Sequence, residues 1–413
     1  MVDGFDITAM AVTAHQIGEE MQLGEEMLGL VFSFSLAGMM LGAMLLASFS
    51  DVIGRRSLII LTLLAVGVSV ALTAFADSFA LLIVLRFISG LGAGAMLASV
   101  ATLAAEYSPE KFRALSVVAV TAGYPLGAMV TGLTASTIVP EFGWRGMFIA
   151  GGAITLVLAG IALWLIPESL QFLCKKRPPG ALDRVNSILI RLAREPVSTL
   201  PTVGEEQGDQ EADTQHIVQK MLALLAPQLR RSTLILWCAF FLCISTLYFM
   251  MSWVPKLIIN LGYTPEAGNM AFATFNFGGV LGILSLGYLA SRWRLSALIA
   301  LFAVIAAIMM CVFAGAASIN AGQSALIVLI FVIGFSLQGG YTGLYAVAAK
   351  VYPVEVRSTG VGWAIGLGRL GAVVGPGIAG YMIASGVPIA TNVLTFAVPM
   401  LIGGILSYQL RVS

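Results

Sequence analysis

Long apolar runs separated by short polar segments make up most of the 413-residue chain. Each run has the ~20 residues that a helix needs to cross a hydrocarbon core of ~30 Å. The pattern predicts complete membrane-spanning helices, preceded by a partial one at residues 2–17. The complete spans are predicted at residues 27–49, 57–76, 79–104, 112–138, 145–166, 233–259, 266–290, 296–318, 322–349, 358–384 and 388–409.

The first apolar run covers only part of a membrane. Asp6 lies some ten residues in from the polar end near Gln16. At 1.5 Å per residue this distance is ~15 Å, close to the centre of a bilayer. We therefore expect the first helix to be truncated, with its natural beginning before Met1. The alternative is a short, tilted helix.

Composition agrees with a membrane protein. Hydrophobic residues make up 59% of the chain and charged residues 10%, whereas soluble domains contain roughly 25% charged residues. The 45 glycines are typical of closely packed membrane helices. A net charge of +1 gives no indication of nucleic-acid binding. The 4 cysteines have no CxxC spacing, so we expect free thiols and no metal site.

The basic residues between the predicted spans indicate the orientation. Lysine and arginine gather in alternate loops, and such loops stay in the cytoplasm. Both chain termini are then cytoplasmic. The opposite loops are acidic, with Arg145 and Lys256 as basic exceptions. The cytoplasmic loops carry Arg55, Arg56, Lys111, Arg113, Arg292, Arg294, Lys350 and Arg357, and the segment from Lys175 to Arg231.

Two similar segments end the predicted fourth and tenth spans. Tyr107–Arg113 reads YSPEKFR, and Tyr352–Arg357 reads YPVEVR. Such a repeat indicates two six-helix halves with a substrate site between them near the midplane. We predict an all-α membrane protein of twelve transmembrane helices, which we expect to be a monomer. Its predicted parts are an N-terminal half at 1–166, a cytoplasmic linker with amphipathic helices at 167–232 and a C-terminal half at 233–413.

Charged motifs follow the second and fourth spans. The first contains Asp51, Gly54, Arg55 and Arg56, and the second contains Glu106, Pro109 and Arg113. Over its whole length the chain resembles the major facilitator superfamily, although Ala47 and Val52 depart from the usual loop motif. The resemblance implies the major facilitator fold and a charge network that closes the cytoplasmic side. The gate candidates are Asp51, Arg55, Glu106, Arg113 and Arg357.

Three further motifs lie in the first, fourth and eleventh spans. Asp3-Gly4-Phe5-Asp6 resembles the Asp-Gly-(Phe/Tyr)-Asp signature of aromatic acid:proton symporters. Arg86–Gly92 and Thr359–Arg369 resemble the fourth and eleventh helices of the same family. The resemblance implies proton-coupled uptake of a small aromatic carboxylate of the benzoate, hydroxybenzoate or phenylpropionate type. The proton is then the coupling ion, and no other cofactor is implied.

Ionisable residues within the spans are the candidate functional groups, because charges are costly at membrane depth. Asp3 and Asp6 are three residues apart on one helical face and are candidate proton carriers. Arg86 and Arg369 are candidate ligands of a carboxylate through paired hydrogen bonds. The alternative is that each arginine neutralises an aspartate of the first helix. Aromatic side chains that stack on the substrate, or else pack within the bundle, are Tyr124, Tyr341, Tyr345 and Trp363.

The function that the sequence favours is uptake by alternating access across a bacterial inner membrane. A proton-coupled drug or organic anion antiporter is one alternative, although the fifth span has Gly123-Tyr124-Pro125 where drug antiporters typically have Gly-Pro. A non-transporting membrane receptor for aromatic acids is another. The sequence contains no GxxxxGK(S/T) loop and no constellation of nucleophile, base and metal ligands, which argues against ATP-driven transport and against an enzyme.

Overall fold

The computed structural model describes residues 1–46, 49–110, 113–200, 223–319, 321–353 and 356–410. The regular structure of these residues is helical. A π-helical turn, Gly42–Leu46, continues the second helix. The helices are α1 (Val2–Glu20), α2 (Glu25–Leu41), α3 (Ser50–Ile53), α4 (Arg55–Thr73), α5 (Phe79–Glu106), α6 (Arg113–Leu165), α7 (Leu170–Lys176), α8 (Ala181–Arg191), α9 (Arg230–Asn260), α10 (Pro265–Leu289), α11 (Leu295–Ser318), α12 (Gln323–Val351), α13 (Arg357–Ala384) and α14 (Ile389–Gln409).

Within the described residues, 10 helical stretches are long and apolar enough to cross a membrane. One of them, Ala122–Leu165, has 44 residues and is too long for a single crossing. Gly143 divides it, with a non-helical φ of 65° and ψ of −176°, in the interval between the predicted fifth and sixth spans. The shorter and more polar α1 packs against α6 and completes the bundle.

The bundle has two parts, of which the first contains α1 to α6 and the second contains α9 to α14. Corresponding helices of the two parts pack against each other in the same way. In the first part α1 packs on α6, α2 on α5, and α4 on α5. In the second part α9 packs on α13, α10 on α12, and α11 on α12. Contacts between the two parts are made chiefly by α2 with α13, by α6 with α10, and by α1 with α9.

Glycines bring α2 and α5 into direct backbone contact. A methyl group added at Gly90 would overlap the carbonyl oxygen of Ser35, and one added at Gly94 would overlap that of Met39. Gly38 and Gly42 make the reciprocal contacts on α2. Small residues of this kind stabilise helix pairs in lipid, where hydrophobic burial gives no driving force. The pair α10 and α12 repeats the arrangement at Gly278, Gly282 and Gly334.

The outer surface of the bundle is apolar. Leu61, Val68 and Ile161 are 60%, 47% and 46% exposed. Such a surface is unfavourable in water but is suited to hydrocarbon, where the helices satisfy their own backbone hydrogen bonds. The chain is therefore a multi-pass membrane protein.

The segment after α6 defines one end of the bundle, which we call the linker face; the opposite end is the far face. There α7 and α8 share a small core that includes Leu173, Cys174, Val185 and Ile188. The apolar side of the amphipathic helix α8 is therefore covered by protein. Residues 201–222 of the predicted linker lie outside the described residues.

The glycine contact between α2 and α5 predicts an unequal response to one added methyl group. Gly94→Ala should lower the thermal unfolding temperature of the purified protein by several degrees, because the methyl overlaps the backbone of α2. Gly160→Ala is the matched control, since nothing lies within 4 Å of its added methyl, and it should not lower that temperature. Equal unfolding temperatures for the two variants would contradict the close contact.

Candidate functional site

Arg86 is buried at the centre of the first part of the bundle and is paired with Asp6. Its Nη2 donates to Asp6 Oδ1 at 2.9 Å, and its Nη1 donates to the main-chain oxygen of Asp6 at 3.2 Å. Phe148 lies beneath the guanidinium, with 5.1 Å from Cζ to the ring centroid. Arg86 is 0% exposed and Asp6 1% exposed. The pair neutralises two charges inside the bundle and holds α1 against α5.

The pairing of Arg86 with Asp6 corresponds to the neutralising alternative for this arginine. The pair retains free hydrogen-bonding capacity, because Asp6 Oδ2 and Arg86 Nε have no partner within the described part of the chain. A direct contact between Arg86 and a substrate stays a prediction, as does the proton-carrying role of Asp6.

Asp3 and Arg369 form a second, looser group of charges. Asp3 is 5% exposed, and neither of its carboxylate oxygens has a hydrogen-bond partner among the residues described. Arg369 is partly accessible and forms no ion pair within 4.0 Å with any described carboxylate. Arg369 exerts a long-range electrostatic influence on Asp3 that is smaller than those of the Met1 ammonium and of Asp6. Arg369 is therefore a cation at membrane depth that is available to an anion.

Four tyrosines lie near Arg369. Tyr248, Tyr341 and Tyr345 all interact electrostatically with its guanidinium, and so does Tyr124 from the first part of the bundle. The hydroxyls of Tyr341 and Tyr345 share a hydrogen bond, and their rings meet edge to face at 5.4 Å. The structure thus brings three of the predicted aromatic residues to Arg369. Sequence reasoning missed Tyr248, which stands in an apolar span with several other aromatic residues.

Trp363 lies apart from these tyrosines. It packs on Trp237 of α9, with ring centroids 6.2 Å apart. Because it precedes Arg369 by six residues on α13, it lies ~9 Å closer to the linker face. Its predicted contact with a substrate stays a prediction.

A narrow cavity extends from the tyrosines toward the far face. Its free volume is about 10 Å³, enough for roughly one water molecule. The cavity therefore has no room for a ligand larger than a water molecule in this conformation. The cavity is lined by Ile7, Thr8, Met10, Ala11, Phe32, Ser35, Leu36, Tyr124, Tyr248, Met251 and Ser252.

Contacts between the two parts close the cavity toward the far face. Lys256 Nζ lies 3.1 Å from Glu25 Oε1, and the ring of Phe32 meets that of Trp253 edge to face at 5.5 Å. A methyl group at Gly29 would lie 3.0 Å from the carbonyl oxygen of Pro376, so α2 and α13 touch closely. Lys256 was an exception to the predicted charge pattern, and its pairing with Glu25 explains its position.

At the linker face, the predicted gate residues Arg55 and Glu106 form an ion pair. Ser169 joins them, because Arg55 Nη1 donates to Ser169 Oγ at 3.1 Å and that hydroxyl donates to Glu106 Oε2 at 2.8 Å. The side chains of Asp51, Arg113 and Arg357 lie outside the described residues.

Glu168, which follows α6, connects this network to the neighbouring loops. It accepts a hydrogen bond from the backbone N–H of Arg56 at 3.0 Å. Its main-chain oxygen accepts the hydroxyl of Tyr107 at 2.6 Å. Burial raises the pKa of Tyr107 to about 12, so this hydroxyl stays protonated and able to donate. Sequence reasoning missed Glu168 and Ser169, because neither belongs to the two charged motifs.

No group of three or more histidine, cysteine or acidic side chains is placed to hold a metal ion in the portion of the chain that the structure describes. Cys174, Cys238, Cys243 and Cys311 are free thiols. The site thus consists of charged, phenolic and hydroxyl side chains.

Curated relatives cover most of the chain. The 4-hydroxybenzoate transporter PcaK of Acinetobacter baylyi is 32% identical over 91% of this chain and 80% of its own length. The gallate transporter of Pseudomonas putida is 30% identical, with coverage of 94% and 84%. The benzoate transport protein of Acinetobacter baylyi is 28% identical, with coverage of 97% and 85%.

Solved structures share the fold. The D-xylose-proton symporter superposes with a TM-score of 0.75 at 16% identity, covering 99% of this chain and 94% of that one. The inward-open conformation of the xylose transporter XylE from Escherichia coli superposes with a TM-score of 0.74, covering 99% and 93%. At this low identity the likeness shows the fold alone, and it confirms the predicted fold class.

A family model matches the chain in two overlapping segments, residues 1–319 and 235–412. The segments together take in both parts of the helix bundle. The relatives are transporters, which confirms that the chain is a transport protein and not an enzyme. The chain therefore belongs to the Major Facilitator Superfamily, in the same family as these aromatic acid transporters.

Proposed function

We propose that the protein takes up a small aromatic carboxylate together with protons, by alternating access. The observation that carries this proposal is Arg369, a partly accessible arginine at membrane depth that has no described ion pair and has four tyrosines nearby. The named substrates of the relatives, 4-hydroxybenzoate, gallate and benzoate, support an aromatic acid as the ligand.

Arg369 binds the carboxylate in this proposal. A guanidinium can donate two parallel hydrogen bonds to a carboxylate, and both are strengthened by charge. The rings of Tyr124, Tyr248 and Tyr345 offer apolar faces and edges to the substrate's own ring. Anion and cation neutralise each other in the bound state, which lowers the cost of placing either at membrane depth.

Asp3 and Asp6 carry protons in this proposal. Moving a monoanion inward against a negative-inside potential costs ~2.3 kcal/mol per 100 mV, and each proton carried with it removes that cost for one charge. The carboxylate of Asp3 is buried without a partner, which costs more free energy when it is charged than when it is protonated. Protonation of Asp6 would weaken its hold on Arg86 and loosen α1 from α5.

Alternating access follows from the positions of the contacts between the two parts. The Lys256–Glu25 pair and the Gly29 contact hold the far face closed, so the complementary state requires these contacts to open. The basic loops support a cytoplasmic location for the linker face and for both termini. The proposed gate of Arg55 and Glu106 then acts on the cytoplasmic side, and the bacterial origin of the relatives supports an inner-membrane location.

Arg369 yields the first prediction from this proposal. Arg369→Ala should weaken binding of 4-hydroxybenzoate by ~2 kcal/mol or more, because the buried carboxylate loses its partner. Arg369→Lys should restore part of the affinity, since it keeps the charge but lacks the planar fork. Calorimetry on purified protein, with the acid and its uncharged amide, measures both effects. Arg292→Ala, at the exposed linker face, is the control. An Arg369→Ala protein that prefers acid over amide as strongly as wild type does would exclude the role.

The two aspartates should differ in their effect on stability. Asp3→Asn and Asp6→Asn should both abolish substrate-driven proton uptake into proteoliposomes, because an amide cannot exchange a proton. Asp6→Asn should also lower the unfolding temperature, since it removes the anion opposite buried Arg86. Asp3→Asn should not, because no described hydrogen bond is lost. Accumulation that still follows an imposed pH gradient in both variants would remove α1 from proton coupling.

The ion pair at the far face provides a test of alternating access. Glu25→Lys should reduce uptake of labelled 4-hydroxybenzoate several-fold, because two like charges then meet at the closed contact. The double change with Lys256→Glu should restore uptake. Glu26→Lys is the matched control, since Glu26 is exposed. Equal uptake by Glu25→Lys and Glu26→Lys would contradict a closing role for the pair.

A further inference from the structure

We propose that Ser35 of α2 and Ser252 of α9 form a subsite for a ring hydroxyl of the substrate, remote from its carboxylate. The protein would then select aromatic acids hydroxylated at that position over unsubstituted ones. This inference rests on the proposed function and adds the chemical class of the substrate.

The narrow cavity and the surroundings of Arg369 have two tyrosines in common. Tyr124 and Tyr248 line the cavity and also interact electrostatically with Arg369. A carboxylate held by Arg369 therefore directs the rest of the molecule past these two tyrosines. The space beyond them is the cavity, whose lining includes Ser35 and Ser252.

The distance along α9 between Tyr248 and Ser252 suits a benzene ring that carries a carboxylate and a hydroxyl at opposite positions. Tyr248 and Ser252 are four residues apart on the same helical face, which is ~6 Å along the axis. Ser35 lies ten residues into α2 from the far face, a depth of ~15 Å, and Ser252 lies at ~12 Å. Both hydroxyls are thus at similar depth and farther from the linker face than the tyrosines are.

The Ser35 hydroxyl lacks the bond that helical serines usually make. Serine within a helix commonly donates to a carbonyl oxygen three or four residues earlier. Ser69, Ser89 and Ser99 do so here, at 3.0, 3.1 and 3.2 Å. Ser35 is 4% exposed, and its Oγ has no partner in the part of the chain that the structure describes.

The other polar groups of the cavity show that Ser35 is distinctive. Thr8 is satisfied, because it donates to Gly4 O at 2.5 Å and lies 3.0 Å from Thr131 Oγ1. A buried polar group without a partner is costly, and a ligand hydroxyl able to donate and accept would satisfy it.

The apolar lining explains why such a hydroxyl would determine selectivity. Met10, Leu36 and Met251 line the same cavity, and flexible methionines can repack around a ring. These contacts bind any benzene ring about equally. An unsubstituted acid would fill the space but leave the serines unpaired, and sites of this kind discriminate against ligands that lack the hydroxyl.

The test compares 4-hydroxybenzoate, 2-hydroxybenzoate and benzoate on the purified full chain by calorimetry. Wild type should bind 4-hydroxybenzoate at least about tenfold more tightly than benzoate. Ser35→Ala, and the double variant with Ser252→Ala, should lose most of this preference while keeping the affinity for benzoate. 2-Hydroxybenzoate should bind little more tightly than benzoate, because its hydroxyl lies next to the carboxylate.

Ser33→Ala is the matched control. Ser33 is also buried on α2 with an unpartnered hydroxyl, but it faces Gly377 of α13 and does not line the cavity. It should keep the wild-type preference. An unchanged preference in Ser35→Ala and in the double variant would overturn the subsite, and so would a wild type that binds the three acids equally. A wild type that binds none of them would overturn the proposed function as well.

Discussion

The pairing of Arg86 with Asp6 is the interaction on which the centre of the bundle depends. A guanidinium without a counter-ion is costly at this depth, and the carboxylate that α1 supplies offsets this cost for Arg86 on α5. The pair fixes the depth of α1. It thereby places Asp3, one turn away, opposite α13 and Arg369. Asp3, which has no hydrogen-bond partner among the described residues, is thus positioned by Asp6, which has one.

Much of the fold could be predicted, because each membrane-spanning helix requires a long apolar run that is visible in the sequence. Span positions and the loop motifs with Arg55 and Glu106 follow from local sequence. The reason for the two basic residues at the acidic far face became clear only from the structure. Arg145 pairs with Glu20 and lies 4.4 Å over Trp144, and Lys256 pairs with Glu25. Each has a local counter-ion, which a rule based on loop composition does not consider.

The partners within the site could not be predicted from sequence. Asp3, Asp6, Arg86 and Arg369 allow several pairings, and the observed one depends on how α1 rotates against α5. Tyr248 and Ser35 carry no signal, since tyrosine and serine are ordinary residues in a membrane helix. Only packing shows that one lies beside Arg369 and that the other retains an unused hydroxyl.

The glycine contacts between α2 and α5, and between α10 and α12, have a mechanical consequence. Helices whose backbones touch have no side-chain layer between them that can repack, so in the proposed alternating-access cycle each pair would move as one rigid unit. These helices run the full distance from the far face to the linker face. In that cycle, a small separation of α2 from α9 at Glu25 and Lys256 would tilt the rigid pair of α2 and α5 and displace its other end at the linker face. Residues without side chains would thus transmit motion from one face of the bundle to the other.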